Sequence, residues 1–553
     1  MNILGVAGFS HDAAAALLCD GQIVAAAEEE RFDRVKHSSA FPRRAVDWCL
    51  EHAGLCLRDV DICAFYMQPW RGVGKPLGQW VRGFADGSTA FAIRHEVLSK
   101  LFPNLRFSLD AVRVTVSVGR VLFLEHHLTH AASAFFASPF DQAAILSIDR
   151  FGEQTSTLLA RGEGNSITPL TRVKAPHSLG TLYMVVTRYL GFPNPGDEGK
   201  VMGLAPYGQP RFREHFGRWV HLTADGFQLD TKTIRLPIGG DLVSSLGPPR
   251  QPNEPLTERH ADIAASLQKT LEHVLLHLLE RLHALTDAEN LCLAGGVALN
   301  CVANARLAEQ GLFRHLWVQP AANDAGCALG AALWVYHMVH NQPRNYRMTH
   351  AYLGPAYGED VCRAAIESRG LPHRRPEDLS STVARLLAQG QIVGWYQGRM
   401  EFGPRALGNR SILADPRKGE MKDVLNARVK HREHFRPFAP AVLEERAADY
   451  FNPPTLSPYM LFTHRVVQPD VIPAITHVDG TARVQTVGRD TNPAFYGLIS
   501  AFDAITGVPV LLNTSFNVRG QPIVCTPGEA IDTYLATDLD ALALGPFLLQ
   551  KKH

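Results

Sequence analysis

The feature that most restricts this chain is an apolar strand, a short polar loop and a second strand, a unit that occurs twice. In the first copy Ile3–Gly8 and Ala13–Cys19 read as buried strands. The Asp20-Gly21 turn joins the second of them to Gln22–Glu28, a hairpin signal with a clear backbone reason. A helix follows from about Pro42 to Ala53, with proline in its first turn. In the second copy the run Ala143-Ala144-Ile145-Leu146-Ser147-Ile148 ends in Asp149, and a further strand-like stretch lies at Thr155–Leu159. Repetition of the unit predicts an α/β architecture of two similar lobes with a cleft between them.

Later segments organise around that pair. Residues 208–260, rich in proline, glycine and short polar runs, read as an insertion or loop. Ile263, Leu267, Leu271, Val274, Leu278 and Leu282 recur at helical spacing, so Ala261–Leu285 is expected to be a packing helix. Asn341–Pro355 carries two prolines among polar residues and reads as a linker. A new α/β pattern starts with a helix around Asp360–Arg369, which divides the chain into a first unit, 1–346, and a second, 347–553.

Lysine and arginine number 55 against 54 acidic residues, a net charge of +1. That balance argues against a general nucleic-acid or acidic-membrane partner. The longest uncharged apolar stretch, near Gly326 to His340, falls short of the roughly 18 residues a membrane span needs. Met1–Ser10 is a short apolar strand without a basic leader, unlike a signal peptide. The nine cysteines form no C-x-x-C pair and read as small buried hydrophobes in a reducing compartment. The expected location is the cytoplasm.

Four motifs in the first unit could carry chemistry. His126 and His130 fall one helical turn apart, a spacing that suits either one shared metal or plain helix packing. Asp149 and Asp324 could complete a set of two imidazoles and two carboxylates, which suits Fe²⁺, Mn²⁺ or Zn²⁺. Gly295-Gly296, between an apolar strand and Asn300, permits close approach of a phosphate or ribose, or simply tight strand–helix packing. Asp197 and Lys200, set among glycines and a proline, suggest either an ordered loop over a polar ligand or an exposed turn. Ser10-His11-Asp12 closes the first strand. His11 could take a proton from a hydroxyl, since imidazole titrates near neutrality, or the His–Asp pair could merely brace the loop. In the second unit, cations interleave with Phe, Pro and Gly in Glu401–Ser411 and again in Lys430–Pro437. Arg483 and the segment Asn513–Asn517 follow, a composition suited to neutralising several phosphates.

Together these motifs resemble, in order and over nearly the whole chain, the O-carbamoyltransferase family of nodulation-factor and antibiotic biosynthesis. The resemblance implies an actin-like first unit of duplicated RNase-H-like lobes, similar to the transferases that make threonylcarbamoyladenosine on tRNA. It implies a YrdC-like α/β second unit. The implied activity is ATP-dependent transfer of a carbamoyl group from carbamoyl phosphate, through a carbamoyl-adenylate, to a hydroxyl of an antibiotic or sugar-containing small molecule. A divalent metal, Fe²⁺ first and Zn²⁺ or Mn²⁺ next, is implied in the first unit, and Mg²⁺ with ATP in the second. Carried over residue by residue, His126, His130, Asp149 and Asp324 are the metal set and His11 the general base. Lys430, Arg432, Ser515 and Asn517 reproduce Lys-x-Arg and Ser-x-Asn phosphate motifs. Arg405, Arg436, Arg483 and Asn513 match other carbamoyl phosphate and ATP contacts, Gly295, Gly296 and Asn300 match the adenylate segment, and Lys36 reaches the same site. The family's Asp-Gly-x-Gly-Glu reads here Asp149-Arg150-Phe151-Gly152-Glu153, which places a guanidinium where glycine is usual.

Three rival readings are weaker. A transferase acting on tRNA would need a broad basic surface, which the charge balance does not supply. A metalloprotease would need glutamate where His127 stands. A non-catalytic actin-like nucleotide-binding regulator leaves the basic cluster unexplained. Residues 66–120 and 208–260 carry aromatics, Trp70, Trp80, Phe84 and Trp219, that suit an acceptor's sugar or polycyclic face or a core.

Overall fold

The computed structural model describes residues 1–68, 121–150, 152–452 and 456–551. Trp70, Trp80 and Phe84 therefore lie outside the described residues. Trp219 is described and buried at the end of a short helix, Arg213–Trp219.

Alternation of small apolar residues builds the first lobe from β1 (Asn2–Ala7), β2 (Ala14–Cys19), β3 (Gln22–Glu28), β4 (Ile62–Phe65) and β5 (Val121–Phe123). Their order is β3-β2-β1-β4-β5, with β1 antiparallel to β2 and parallel to β4. The second lobe uses β6 (Gln142–Ile148), β7 (Thr155–Glu163) and β8 (Ser166–Lys174). After the ribbon of β9 (Val220–Thr223) and β10 (Gly226–Leu229), it is completed by β11 (Asn290–Ala294) and β12 (His315–Val318). Read from its antiparallel edge, this sheet is β8-β7-β6-β11-β12, with β6 antiparallel to β7 and parallel to β11. The lobes repeat strand for strand, the duplicated actin-like architecture. Both hairpins, the helix Arg43–His52 and the long helix Glu258–Thr286 fall where the sequence places them. The stretch 208–260 is more ordered than expected: it holds β9, β10 and the helices Arg213–Trp219 and Gly240–Leu246.

Two helices lie between the lobes. The helix His126–Phe135 follows β5 of the first lobe but packs on β6, β7 and β11 of the second. The helix Asp324–Trp334 follows β12 of the second lobe but packs on β1 and β2 of the first. The two helices cross in close contact, which small residues permit. A Cβ on Gly330 would stand 1.9 Å from Thr129 O, and one on Gly5 of β1 would stand 1.8 Å from Ala328 O.

The second unit is α/β. Its seven-stranded sheet contains runs such as Ala541–Leu544 that are apolar throughout, because both faces are covered. The strands are β13 (Val393–Tyr396), β14 (Arg410–Ala414), β15 (Ala439–Leu443), β19 (Gln485–Val487), β20 (Val510–Ser515), β21 (Ala541–Leu544) and β22 (Phe547–Gln550), in the order β19-β15-β20-β14-β13-β21-β22. A small sheet of β16 (Phe451–Asn452), β17 (Thr463–Val466) and β18 (Thr481–Arg483) leans toward the first unit. One apolar core runs across the boundary, from Ile3 and Leu293 to Phe402, Phe435 and Leu461. Backbone-directed bonds join it there, including Asn304 Nδ2 to Leu461 O at 2.9 Å and Arg399 to Val24 O at 3.1 Å. Among the described residues no helix is long and apolar enough to cross a membrane.

The crossing of the two inner helices makes Gly330 intolerant of a side chain. Gly330→Ala is expected to lower stability by about 1–3 kcal/mol, as overpacking against rigid backbone does. Gly217→Ala, on an exposed helix position with nothing within 4 Å, is expected to be neutral or to gain up to about 1 kcal/mol. Thermal midpoints of the two variants check the contrast.

Candidate functional site

Where the inner helices cross, His126 and His130 meet Asp149, at the end of β6, and Asp324, at the start of its helix. His126 Nε2 is 3.3 Å from Asp149 Oδ2 and 3.7 Å from Asp324 Oδ1. His130 Nε2 is 3.9 and 3.7 Å from the same two oxygens. One donor atom from each of the four residues lies within 4.8 Å of all the others. All four residues are buried, and among the described residues His126 Nδ1, both ring nitrogens of His130 and Asp324 Oδ1 have no hydrogen-bond partner. Unsatisfied buried polar atoms are costly, and a divalent cation shared by the four would satisfy the converging ones. Two imidazoles and two carboxylates form a mixed borderline set that suits Fe²⁺, Mn²⁺ or Zn²⁺.

Neighbouring groups hold this quartet in place. Gly296 N donates to Asp149 Oδ1 at 3.1 Å. Gly295, at φ +90°, passes so close to β6 that a Cβ would stand 2.1 Å from Ile148 O. Glu153 accepts from His126 N at 3.2 Å and from Gln68 N at 2.7 Å, placing a carboxylate at the N-terminus of the histidine helix. Cys327, one turn beyond Asp324, stands within 4.8 Å of ligand nitrogens of both histidines. Sequence reasoning placed Cys327 among the inert hydrophobes and gave Glu153 no role. Their signals were present in the i, i+3 spacing from Asp324 and in the acid that closes the Asp149–Glu153 run.

His11 stands beside the quartet, its Nδ1 3.0 Å from Asp12 Oδ2 and 4.0 Å from Asp324 Oδ2. The Asp324 carboxylate, and after burial's opposing effect the bond to Asp12, push its pKa up to about 10. Against burial, bonds from His11 and His37 keep Asp12 well below the usual carboxylate range.

From His11 and Asp149 a cavity of about 530 Å³ extends into the second unit, where Arg405, Arg432, Arg436, Arg483, Asn513 and Asn517 line it. Burial first, and then mutual repulsion, push Arg405 and Arg432 down to about 9. Burial likewise lowers Arg436, Arg483 and Lys430, and Arg432 and Arg436 press Lys430 down further. Cations crowded in this way would be relieved by a bound anion. Lys36 lines the cavity from the first unit, lowered by burial and by Arg436. The helical turn Asn426–Lys430 is a π-turn closed by His431 at φ +47°, which turns Lys430 inward. Its Nζ donates to Asn517 Oδ1 at 3.0 Å and to Ser515 O, so Lys430 anchors the Ser515–Asn517 loop and both ends of that loop line the cavity.

Three sequence-selected groups sit differently from their expected ligand contacts. Asp197 and Lys200 pair with each other at 2.7 Å, and Lys200 also faces Glu433 at 3.6 Å, bridging the two units, while Gly196, Glu198 and Gly199 of the same turn line the cavity. Of the glycine pair only Gly296 lines the cavity, since Gly295 is committed to strand packing. Asn300 lines it, but its side chain caps the helix Cys301–Glu309 and bonds Gln268 at 2.9 Å. Arg150 lines the cavity beside Asp149.

A family model described as the carbamoyltransferase N-terminus matches residues 2–333, and one described as the carbamoyltransferase C-terminus matches 384–551. The chain is 43% identical over 595 residues to an uncharacterised protein of Synechocystis sp., covering 100% of this chain and 97% of that one. It is 42% identical over 570 residues to nodulation protein NolNO of Sinorhizobium fredii, covering 98% of this chain and 79% of that one. Among solved structures, (R)-2-hydroxyglutaryl-CoA dehydratase component A of Acidaminococcus fermentans aligns with a TM-score of 0.35 at 16% identity, over 60% of this chain and 97% of that chain.

The quartet predicts about one equivalent of a divalent cation per chain in purified protein, with His130→Ala or Asp324→Ala lowering occupancy by about 10-fold or more. Plasma mass spectrometry of the metal content checks this, and undiminished metal in both variants would refute it.

Proposed function

The chain belongs to the carbamoyltransferase family, and from that premise we propose that it uses ATP to activate carbamoyl phosphate and carbamoylates a small-molecule hydroxyl. The observation that carries the reading is the single cavity joining the cation cluster of the second unit to His11 and Asp149 of the first. We assign residues 347–553 the formation of carbamoyl-adenylate and residues 1–346 the transfer.

In the first step water releases phosphate from carbamoyl phosphate, leaving carbamate. A carbamate oxygen attacks the α-phosphorus of ATP, which enters as its magnesium complex. The bond from that phosphorus to the pyrophosphate oxygen breaks, giving carbamoyl-adenylate and pyrophosphate. Arg405, Arg432, Arg436 and Arg483 hold the phosphates in forked, charge-assisted bonds, and positioning carries the catalysis. Lys430 holds the Ser515–Asn517 loop against the same anions.

In the second step the acceptor hydroxyl attacks the carbamoyl carbon, the bond from that carbon to the phosphate oxygen breaks, and AMP leaves with both bond electrons. His11 takes the hydroxyl proton. His126, His130, Asp149 and Asp324 would hold a divalent cation, Fe²⁺ first among candidates, which would supply Lewis-acid polarisation and would offset the carboxylate field at His11. A cavity of about 530 Å³ is the size of a small-molecule site, which supports small-molecule substrates; the acceptor in this reading is an antibiotic or a sugar-containing compound.

Incubation with ATP and carbamoyl phosphate is expected to release pyrophosphate only when both are present. Arg432→Ala is expected to reduce that release by roughly 10²-fold or more, as loss of one charged donor does. Pyrophosphate formation independent of carbamoyl phosphate would refute the scheme.

A further inference from the structure

One loop of the first unit, Glu29–Ser38, touches both ends of the cavity's chemistry. On one side it docks on the second unit. Arg31 NH2 donates to Gly403 O at 3.0 Å, two residues before Arg405 of the cation cluster. Arg34 donates to Ile523 O at 2.8 Å and Pro522 O at 2.9 Å, and pairs with Glu529 at 3.2 Å. On its other side the loop reaches the candidate base. His37 Nδ1 lies 2.7 Å from Asp12 Oδ1, and the other oxygen of Asp12 lies 3.0 Å from His11 Nδ1.

The interior of the loop connects the two sides without a break. His37 N donates to Glu30 Oε2 at 2.7 Å, Arg31 NH1 donates to Glu30 Oε1 at 2.6 Å, and Arg31 Nε donates to Glu28 Oε2 at 2.9 Å. Glu28, Glu30 and Arg31 are all buried. Buried ionic triads of this kind are retained for register more readily than for stability. Phe9, Asp12, Arg34 and His37 all take left-handed backbone, at φ +69°, +57°, +61° and +55°. Non-glycine residues persist in that region only where their surroundings over-determine them, and such strain clusters at functional sites.

We propose that Asp12 is a positioning residue for carbamoyl transfer, held by His37 in a relay through Glu30 and Arg31 that registers His11 against the docked second unit. Asp12 engages Nδ1 of His11, which leaves Nε2 as the nitrogen free to face the acceptor hydroxyl. The inference rests on the proposed two-step reaction, with Asp12 acting through His11 in the second step alone.

The experiment uses the full chain and follows two readouts from ¹⁴C-labelled carbamoyl phosphate and ATP. One is pyrophosphate release; the other is carbamate ester formed on molar glycerol as a surrogate hydroxyl. Asp12→Asn and His37→Leu are expected to lower kcat for ester formation by about 10- to 100-fold, with KM for glycerol little changed. Pyrophosphate release should stay within about twofold of the parent, a change too small to reflect loss of a positioned group. His37→Gln retains a donor toward Asp12 and is expected to recover most of the ester formation lost in His37→Leu. Unchanged ester formation in Asp12→Asn overturns the relay, as does a parallel fall in both readouts or failure of glutamine to rescue. Absence of carbamoyl-phosphate-dependent pyrophosphate in the parent protein overturns the functional reading itself, and the relay with it.

Discussion

The close crossing of two helices between the lobes is the constraint on which the rest of the site depends. Each helix leaves one lobe and packs on the other, and Gly330 lets them approach until backbone nearly touches backbone. A crossing this tight has only one register, because a Cβ at Gly330 would overlap Thr129 O. It presents His126 and His130 from one helix to Asp324 at the end of the other. Asp149 is also held by the Gly296 amide, so the fourth donor has an anchor outside the helix crossing. A quartet assembled from both lobes joins them at their contact, and any cation there would stabilise the folded form by mass action.

The cation cluster poses the opposite problem. Carboxylates converge in the first unit, while guanidinium groups converge in the second with their pKa values lowered by burial and by neighbouring cations. Keeping such charges close without a ligand costs stability, and burial in the shared apolar core from Ile3 to Leu461 opposes that cost. The inter-unit contacts are correspondingly more than incidental. Arg31, Arg34, Arg399 and Lys200 each spend charge on the boundary, on backbone carbonyls or on Glu433 and Glu529.

Much of this was legible in the chain. The repeated strand units carried the lobes, because runs such as Ala143–Ile148 have a local pattern. The helical spacing of His126 and His130 carried half the quartet, Asp149 at a strand end and Asp324 before a helix offered the carboxylates, and the family resemblance marked all four as one metal set. What stayed hidden depended on long-range partners. Arg31 follows an acidic run after β3, and nothing local reveals a carbonyl 372 residues away. Glu153 is 27 residues from the amide it receives, and only the fold brings them together. Asp197 and Lys200 looked like ligand groups for the same reason in reverse. Alternating charges on a turn do not disclose whether a phosphate or Glu433 of the other unit faces them. Residues 208–260 formed helices and a ribbon despite their proline and glycine, because packing on the long helix Glu258–Thr286 overrode composition.

The electrostatic polarity of the cavity bears on the order of the proposed steps. Its two ends differ in make-up: Arg405, Arg432, Arg436 and Arg483 gather at one, and Asp149 stands beside Arg150 at the other. An adenylate is itself polar, with an anionic phosphate on one side of the bond to be broken and a neutral carbamoyl group on the other. Arg405 and Arg483 line the same wall as Cys301 at the head of the helix Cys301–Glu309, so cations reach across the boundary into the first unit. A phosphate can therefore remain in contact with positive charge along the cavity while the neutral carbamoyl group advances to the carboxylate end. In the proposed scheme a cation in the quartet would cancel the two carboxylate charges, so the arginines alone would set direction, holding the phosphate back and leaving the uncharged carbamoyl end to arrive first.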